Sequence, residues 1–397
     1  MMIALVFLAI LVLSIAVYAA AMRTVEMLRR DRPEARLSGF APPVSIIKPL
    51  SGRDDELEAN LESFYRLEYP QYEVIFSCAH RTDPAFAIAR RVADRYPGVP
   101  TIFALDAREP GGNSKINRLV AGLRHARFPY VLMSDGNVRV HPEFLLRAIT
   151  EFEQRSVGLV SHLFLARGAR TLGSSLESLY LNSTLRAGTA VLARVFRMPC
   201  VVGKSILISR EALNAIGGIE TLRDHLAEDY LLGKLVAGAG YRVVLSADEI
   251  ETREVSRSIA SAWNRQRRWA ILRKRLAGAS YASELLASPL PWFVGVELAS
   301  RGHGRVAILA ALLYLLRMAL EVRSAARAGL SLTLAQWLLL PVRDAAVAAL
   351  FWAGLFGLRT TWRGRSLFVG RQTLIGKRGR LATVMMGIIT FCLIGLG

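Results

Sequence analysis

The sequence predicts an α/β protein, a mainly parallel sheet domain carried between transmembrane helices at its two ends. Three observations point there. Residues Met2 to Met22 are almost wholly apolar and uncharged, short β-branched runs alternate with helix-period segments from about Val44 to Arg275, and apolar stretches return after Ser288. A chain of 397 residues, 52% of them hydrophobic, has room for one domain plus membrane segments.

The first run, residues 1–22, is long enough to cross a hydrocarbon core of about 30 Å at 1.5 Å per residue. A signal peptide is the rival reading. No basic region precedes the run and Arg23 follows it directly, which favours a retained anchor leading into a basic juxtamembrane linker over 23–43. From Val44 the segments VSIIKPL, YEVIFSCA, TIFALDA and YVLMSDG read as strands ending in polar residues. Glu56 to Tyr65, Ala85 to Arg95 and Lys115 to Arg124 read as the helices between them. Such βα units make a parallel sheet, and ligands on it sit beyond the carboxyl ends of the strands, where Asp83, Asp106 and Asp135 fall. Asp106 reads equally well as a loop aspartate. GLVSHLFLAR is a further strand, GKSILISR a strand or buried turn, and EALNAIGGI a helix stopped by glycine. The catalytic domain is placed at 44–255, followed by amphipathic interfacial helices over 256–300.

The last part, 301–397, reads as a membrane region of about three spans. SPLPWFVGVELA, from Ser288, is short and proline-broken, suited to a re-entrant or interfacial position. Val306 to Leu320 is apolar except for Arg317, a second stretch from Leu330 to Leu355 holds Arg343 and Asp344, and a third covers Leu381 to Leu396. Charges inside a span need partners. Arg343 and Asp344, being consecutive, point in different directions on a helix, so partners on another helix, in a headgroup or at a kink are expected; a short external loop here is the alternative. Basic residues after the first span and in the loop 359–380 put both flanks and the catalytic domain on the cytoplasmic side, which four spans satisfy.

Charge narrows the partners. The net +19, from 51 Lys and Arg against 32 Asp and Glu, suits an anionic membrane surface or a phosphorylated small molecule. No zinc-finger spacing or basic helix joined to a heptad repeat supports nucleic acid. Cys78, Cys200 and Cys392 form no cluster, which fits a reducing compartment for the soluble part.

Four features carry chemistry together: Asp83 in HRTDPA, Asp135 in SDGNVRV, the pair Glu228 and Asp229 in HLAEDYLLG, and Arg265, Arg268 and Trp269 in RQRRW. With VSIIKPLSG, LESFYRLEYPQYEVIF and GGNSKINRL, they resemble family 2-type inverting glycosyltransferases and, more closely, the ceramide glucosyltransferase family (family 21). The resemblance implies a GT-A nucleotide-sugar-binding domain, a UDP-sugar donor and a divalent cation, magnesium or manganese.

It also implies roles. Asp83 matches the first motif aspartate, near the uracil end of the donor, and Asp135 the second, with metal and diphosphate. A hard cation wants oxygen ligands. Here the familiar DxD reads Asp135, Gly136, Asn137, so an amide replaces one carboxylate and weakens metal affinity without donor. Asp229 matches the general base, with Glu228 orienting the loop or touching ligand. An arginine of RxxRW would neutralise diphosphate, and Trp269 would wall the acceptor site. Lys48, Lys115 and Asn117 are further donor contacts, and His162 is structural. TWRGR, from Thr361, suits headgroup contact or docking on the catalytic domain.

The expected activity is transfer of a hexose, glucose first, from UDP-sugar to the primary hydroxyl of ceramide or a related lipid in a bacterial inner membrane. The competing readings are N-acetylglucosaminyl transfer to a hopanoid, and a noncatalytic lipid-binding or transport protein.

Overall fold

The computed structural model describes residues 1–32, 39–301, 303–362 and 365–376. The apolar N-terminal run folds as α1 (Met2–Arg30), two turns past its predicted end. Those turns continue because Met22, Val25 and Leu28 pack with Tyr18 on Leu163, Ala187, Ala190 and Leu245 of the sheet domain. Helix propagation is favourable once such a face is buried.

The domain then alternates strand and helix: β1 (Val44–Pro49), α2 (Leu57–Glu62), β2 (Tyr72–Cys78), α3 (Pro84–Arg95), β3 (Thr101–Leu105), α4 (Ser114–Leu123), β4 (Tyr130–Ser134), β5 (Val138–Arg139), α5 (Phe144–Thr150) and β6 (Val157–Arg167). A helical arm follows, α6 (Leu172–Tyr180), a π turn at Leu181–Leu185 and α7 (Arg186–Arg194). Then come β7 (Ser205–Ser209), α8 (Arg210–Ala215), α9 (Glu228–Gly238) and β8 (Arg242–Arg253). Fully buried runs such as β2 and β6 explain the continuous apolar sequence, since helices cover both faces of the sheet.

The eight strands order as β3-β2-β1-β4-β7-β6-β8-β5. The pairs β1 with β2, β1 with β4, β2 with β3 and β6 with β8 are parallel, while β4 with β7, β6 with β7 and β5 with β8 are antiparallel. The sheet is therefore mixed, and its reversed central strand matters. Because β7 runs against β4, its start lies beside the end of β4, and Asp135 N–H bonds the carbonyl of Lys204 at 3.0 Å.

Beyond the sheet come α10 (Ile259–Ala277), α11 (Ser283–Leu286), α12 (Pro289–Ala299), α13 (Gly304–Arg327), α14 (Leu334–Leu338) and α15 (Leu340–Phe356). A three-stranded antiparallel sheet closes the described chain: β9 (Arg359–Trp362), β10 (Arg365–Val369) and β11 (Ile375–Gly376). Among the described residues only α1 is long and apolar enough to cross a membrane. The two middle segments expected to span form α13 and the α14–α15 pair instead, which fall short of that test, and the expected span Leu381 to Leu396 lies outside the described residues. The proline-broken SPLPWFVGVELA forms α12, whose Val296 packs on Leu11 and Ile15 of α1.

The charges on α13 and α15 are buried in one network. Arg343 donates to both carboxylate oxygens of Glu321 at 2.8 and 2.7 Å, to Asp344 at 2.9 Å, and to Ser183 and the Leu179 carbonyl of the arm. Arg317 pairs with Glu321 at 2.6 Å and lies over the Tyr18 ring of α1, and Tyr314 donates to Asp344. The expected partner on another helix is Glu321 of α13, and the neighbours Arg343 and Asp344 also bond each other directly. Two positive and two negative groups cancel, which is what makes such burial tolerable. Glu321→Ala strands two buried guanidinium groups and is expected to destabilise the protein by about 3–5 kcal/mol, checked by chemical unfolding in detergent, with Glu321→Gln losing less.

Candidate active site

Of the aspartates predicted beyond the strand ends, Asp135 lies in a cleft between β1, β4 and β7 on one side and α9 on the other. Asp135 follows β4. Lys115, in the first turn of α4, reaches across to bond its carboxylate at 2.9 Å, the Gly203 carbonyl at 2.7 Å and, more loosely, Glu228 at 3.5 Å. A second ammonium, Lys204, bonds the Asn137 side-chain oxygen at 3.0 Å and lies 3.7 Å from Asp135. Lys48 is fully buried, with its ammonium 2.7 Å from the Asp135 carbonyl and 3.7 Å from the centre of the Phe64 ring. Burial pushes the Lys48 amine well below its ordinary range. Burial also works against charge on Lys115 and Asp135, but their mutual attraction wins, lifting the Lys115 amine and lowering the Asp135 carboxyl.

Glu228 and Asp229 open α9, where unpaired N–H groups and the helix dipole favour negative charge. Asp229 accepts from the N–H of Gly203 at 2.9 Å and of Tyr230 at 2.8 Å. A β-carbon at Gly203 would come within 2.9 Å of that carboxylate, so the close approach requires glycine there. Burial raises the carboxyls of both Glu228 and Asp229; Lys115 opposes the rise, and Asp135 adds to it. Glu228 takes a hydrogen bond from Asn113 at 3.1 Å, which ties the start of α9 to the loop ahead of α4. The loop before α9 is itself held: Leu226 N–H bonds the Thr373 carbonyl, Ala227 N–H its hydroxyl, and the Ile375 N–H the Asp224 carbonyl. The cavity that Asp229 lines with Lys115 and Gly203 has about 10 Å³, less than one water needs.

Other predicted residues have different tasks. Asp83 caps α3 through Ala85 N–H and accepts from Gly52 N–H at 3.0 Å, tying two strand-end loops together. Asn117 is spent on Glu109 and Gly111 within its own loop. Asp106 pairs with Arg108 and Arg124. His162 is enclosed against Phe144, and burial lowers its pKa to about 4, in keeping with a structural role.

The RxxRW segment lies on α10. α10 packs against α6 and α15, and Arg265 is held between Glu177 at 2.8 Å and Glu254 at 2.9 Å. Those two carboxylates also bind Arg257, and the positive field of Arg265, Lys204 and Arg257 overcomes burial to hold Glu254 at about 2. Arg265 is thus a clamp and not an open phosphate ligand. Arg268 differs: among the described residues it has no hydrogen-bond or ion-pair partner. Burial and the nearby Arg265 push it down to about 10, with Glu228 opposing. Trp269 packs its ring 5.1 Å from Arg265 and against two apolar clusters.

The cation expected at Asp135 and Asn137 finds no ready-made cage. Lysine ammonium groups contact both side chains, the Asn137 amide nitrogen is used by Glu254, and no group of three His, Cys, Asp or Glu among the described residues is arranged to hold a metal ion. Lys204 escaped the sequence reading because GKSILISR reads as a strand or buried turn, with no role for its lysine. Its signal is a lysine immediately before a buried strand. Asp54 was also missed; its carboxylate lies over Gly136, where a β-carbon would approach within 2.8 Å.

The sequence pattern described as glycosyl transferase family 21 matches residues 6–375. Ceramide glucosyltransferase 3 of Caenorhabditis elegans is 30% identical over 234 residues, covering 58% of this chain and 50% of that protein. Ceramide glucosyltransferase of Komagataella phaffii is 27% identical over 192 residues, covering 43% and 38%. The chain thus spans about half the length, or less, of these curated relatives. Among solved structures, a mannosyltransferase from Pyrobaculum calidifontis in complex with GDP-mannose and Mn²⁺ aligns over 87% of this chain and 99% of its own, with 19% identity and a TM-score of 0.47.

A carboxyl whose pKa is raised on folding costs stability when ionised: the penalty is complete above the folded pKa, shrinks as pH falls between the folded and unfolded values, and is gone only below the unfolded one. Asp229→Asn is therefore expected to unfold at higher denaturant than the parent at pH 7, with the gap closing as pH falls, measured by chemical unfolding across pH.

Proposed function

We propose, from the premise that the chain belongs to glycosyl transferase family 21, that it transfers a hexose, glucose first, from a UDP-sugar to the primary hydroxyl of ceramide, with inversion. The reading places the reaction at the cytoplasmic face of a bacterial inner membrane. The observation that carries it is the ammonium of Lys115, which joins Asp135 on the donor side to Glu228, next to Asp229, on the acceptor side.

In this mechanism Asp229 takes the proton from the acceptor hydroxyl as its oxygen attacks the anomeric carbon opposite the departing UDP. One carboxylate is sufficient for inversion, and its raised pKa makes it a stronger base than a solvated aspartate. Charge building on the diphosphate falls among Lys115, Lys204 and the unpartnered Arg268. Those lysines now hold Asp135 and Asn137, so donor entry exchanges carboxylate and amide oxygens for phosphate oxygens and opens the small cavity at Asp229. Asp83 and Lys48 border the nucleoside end, and Trp269 walls the lipid. The acceptor's tails stay in the bilayer beside α1. In the same reading α13 and α15 lie in the membrane with α1, since Ile308, Leu312, Leu315 and Trp352 are exposed and their charges face inward.

Purified protein is expected to release UDP and form a glycolipid when UDP-glucose and ceramide are combined. UDP-galactose, UDP-glucuronate, UDP-N-acetylglucosamine and a hopanoid acceptor, screened together by mass spectrometry, reveal the sugar and lipid. Asp229→Asn is expected to keep its fold and lose about 10²–10⁴-fold in turnover, and normal turnover would overturn the base assignment. Lys204→Met is expected to raise the KM for donor about tenfold with a smaller change in kcat, measured by initial rates.

A further inference from the structure

A second charged site lies outside this cleft, between α1 and α13. The two helices run parallel at matched height: Leu11 packs near Ala310, Tyr18 under Arg317, Met22 against Ser324, and Glu26 pairs with Arg327. Where α1 passes from its apolar run into its basic turns, the helices enclose a groove of about 470 Å³. Four arginines line it, Arg23, Arg30, Arg323 and Arg327, against the single carboxylate of Glu26, a surplus of three positive charges.

The surplus is not accidental crowding. Neighbouring arginines are matched, Arg29 to Glu249, Arg32 to Asp248 and Arg167 to Glu251. Arg23, Arg30 and Arg323 are exposed and have no hydrogen-bond or ion-pair partner among the described residues. Repulsion between unpaired arginines is relieved by an anion, and the guanidinium fork fits phosphate oxygens.

The groove also has an apolar approach. Spacings of three and four residues place Ala19, Ala16 and Val12 in line with Arg23 on α1, and Leu320, Leu316, Leu312 and Leu309 in line with Arg323 on α13. Val12, Leu309, Leu312 and Leu316 are exposed. Two apolar stripes therefore lead along the helices to one cluster of cations, a pattern that matches an acyl chain ending in a phosphate. Ceramide, being uncharged, does not match the arginines.

We propose that the α1–α13 groove binds one phospholipid of net negative charge from the bilayer, as a site separate from the acceptor's. The proposal rests on the membrane-embedded reading of α1 and α13 given above.

The test uses the full chain extracted in detergent and supplemented with phosphatidylglycerol or phosphatidylcholine, with bound lipid counted by native mass spectrometry. Wild type is expected to retain one phosphatidylglycerol in preference to phosphatidylcholine. Arg23→Gln with Arg323→Gln is expected to weaken that retention about 30-fold. Arg90→Gln with Arg155→Gln, removing two exposed charges elsewhere, retains it, and so does Arg23→Lys with Arg323→Lys, which preserves charge if the neutral variant misfolds. Equal retention of both lipids by wild type, unchanged retention in the Gln pair, or displacement of the lipid by millimolar inorganic phosphate would overturn the proposal, the last identifying a free-anion site. Flotation of wild type with phosphatidylcholine vesicles and UDP-hexose turnover, run on the same preparations, report the membrane and transferase readings separately.

Discussion

The cleft depends on one ammonium group. Lys115 lies where the end of β4, the loop before β7 and the start of α9 meet, and it is the positive charge that lets Asp135, Glu228 and Asp229 share a partly buried space. Without it three carboxylates would face one another with little water, and burial alone already drives two of them toward neutrality. In the proposed reaction the same arrangement would supply a carboxylate with raised basicity beside cations that take up a departing diphosphate. On that reading structural tolerance and reactivity share one cause.

Much of this was legible in the chain. Strand runs ending in polar residues and the glycine stop after α8 each follow from local rules that tertiary packing did not override. Hidden were features decided by partners distant in sequence. Nothing in GKSILISR says that this strand reverses and delivers Lys204 to Asp135, because orientation in a mixed sheet is set by how connections close and not by composition. Arg265 and Arg268 read alike in RQRRW, yet Glu177 and Glu254 occupy one and leave the other open. The mainly parallel sheet was right for β1, β2, β3 and β4 and too simple for β7.

The helical region beyond the large sheet was harder still. Length and hydropathy pick out α1, while α13, which carries Arg317 and Glu321, and the 17-residue α15, which carries Arg343 and Asp344, fall short. Folded, these charges meet each other. The network also reaches Ser183 and Leu179 in the arm, so the helical region and the sheet domain are joined through hydrogen bonds as well as apolar packing.

The small sheet β9–β11 has an implication for how the protein matures. The turn between β10 and β11, at Gln372 and Thr373, supplies carbonyls to His225 and Leu226 and a hydroxyl to Ala227, about 146 residues earlier in the chain. During synthesis the segment before Asp229 emerges long before those partners exist, and so does α9. The long-range closure comes late, as contacts of large sequence separation do. A nascent chain on the ribosome would thus hold a sheet domain with an unfinished cleft, and Asp229 would be framed only when β9, β10 and β11 arrive.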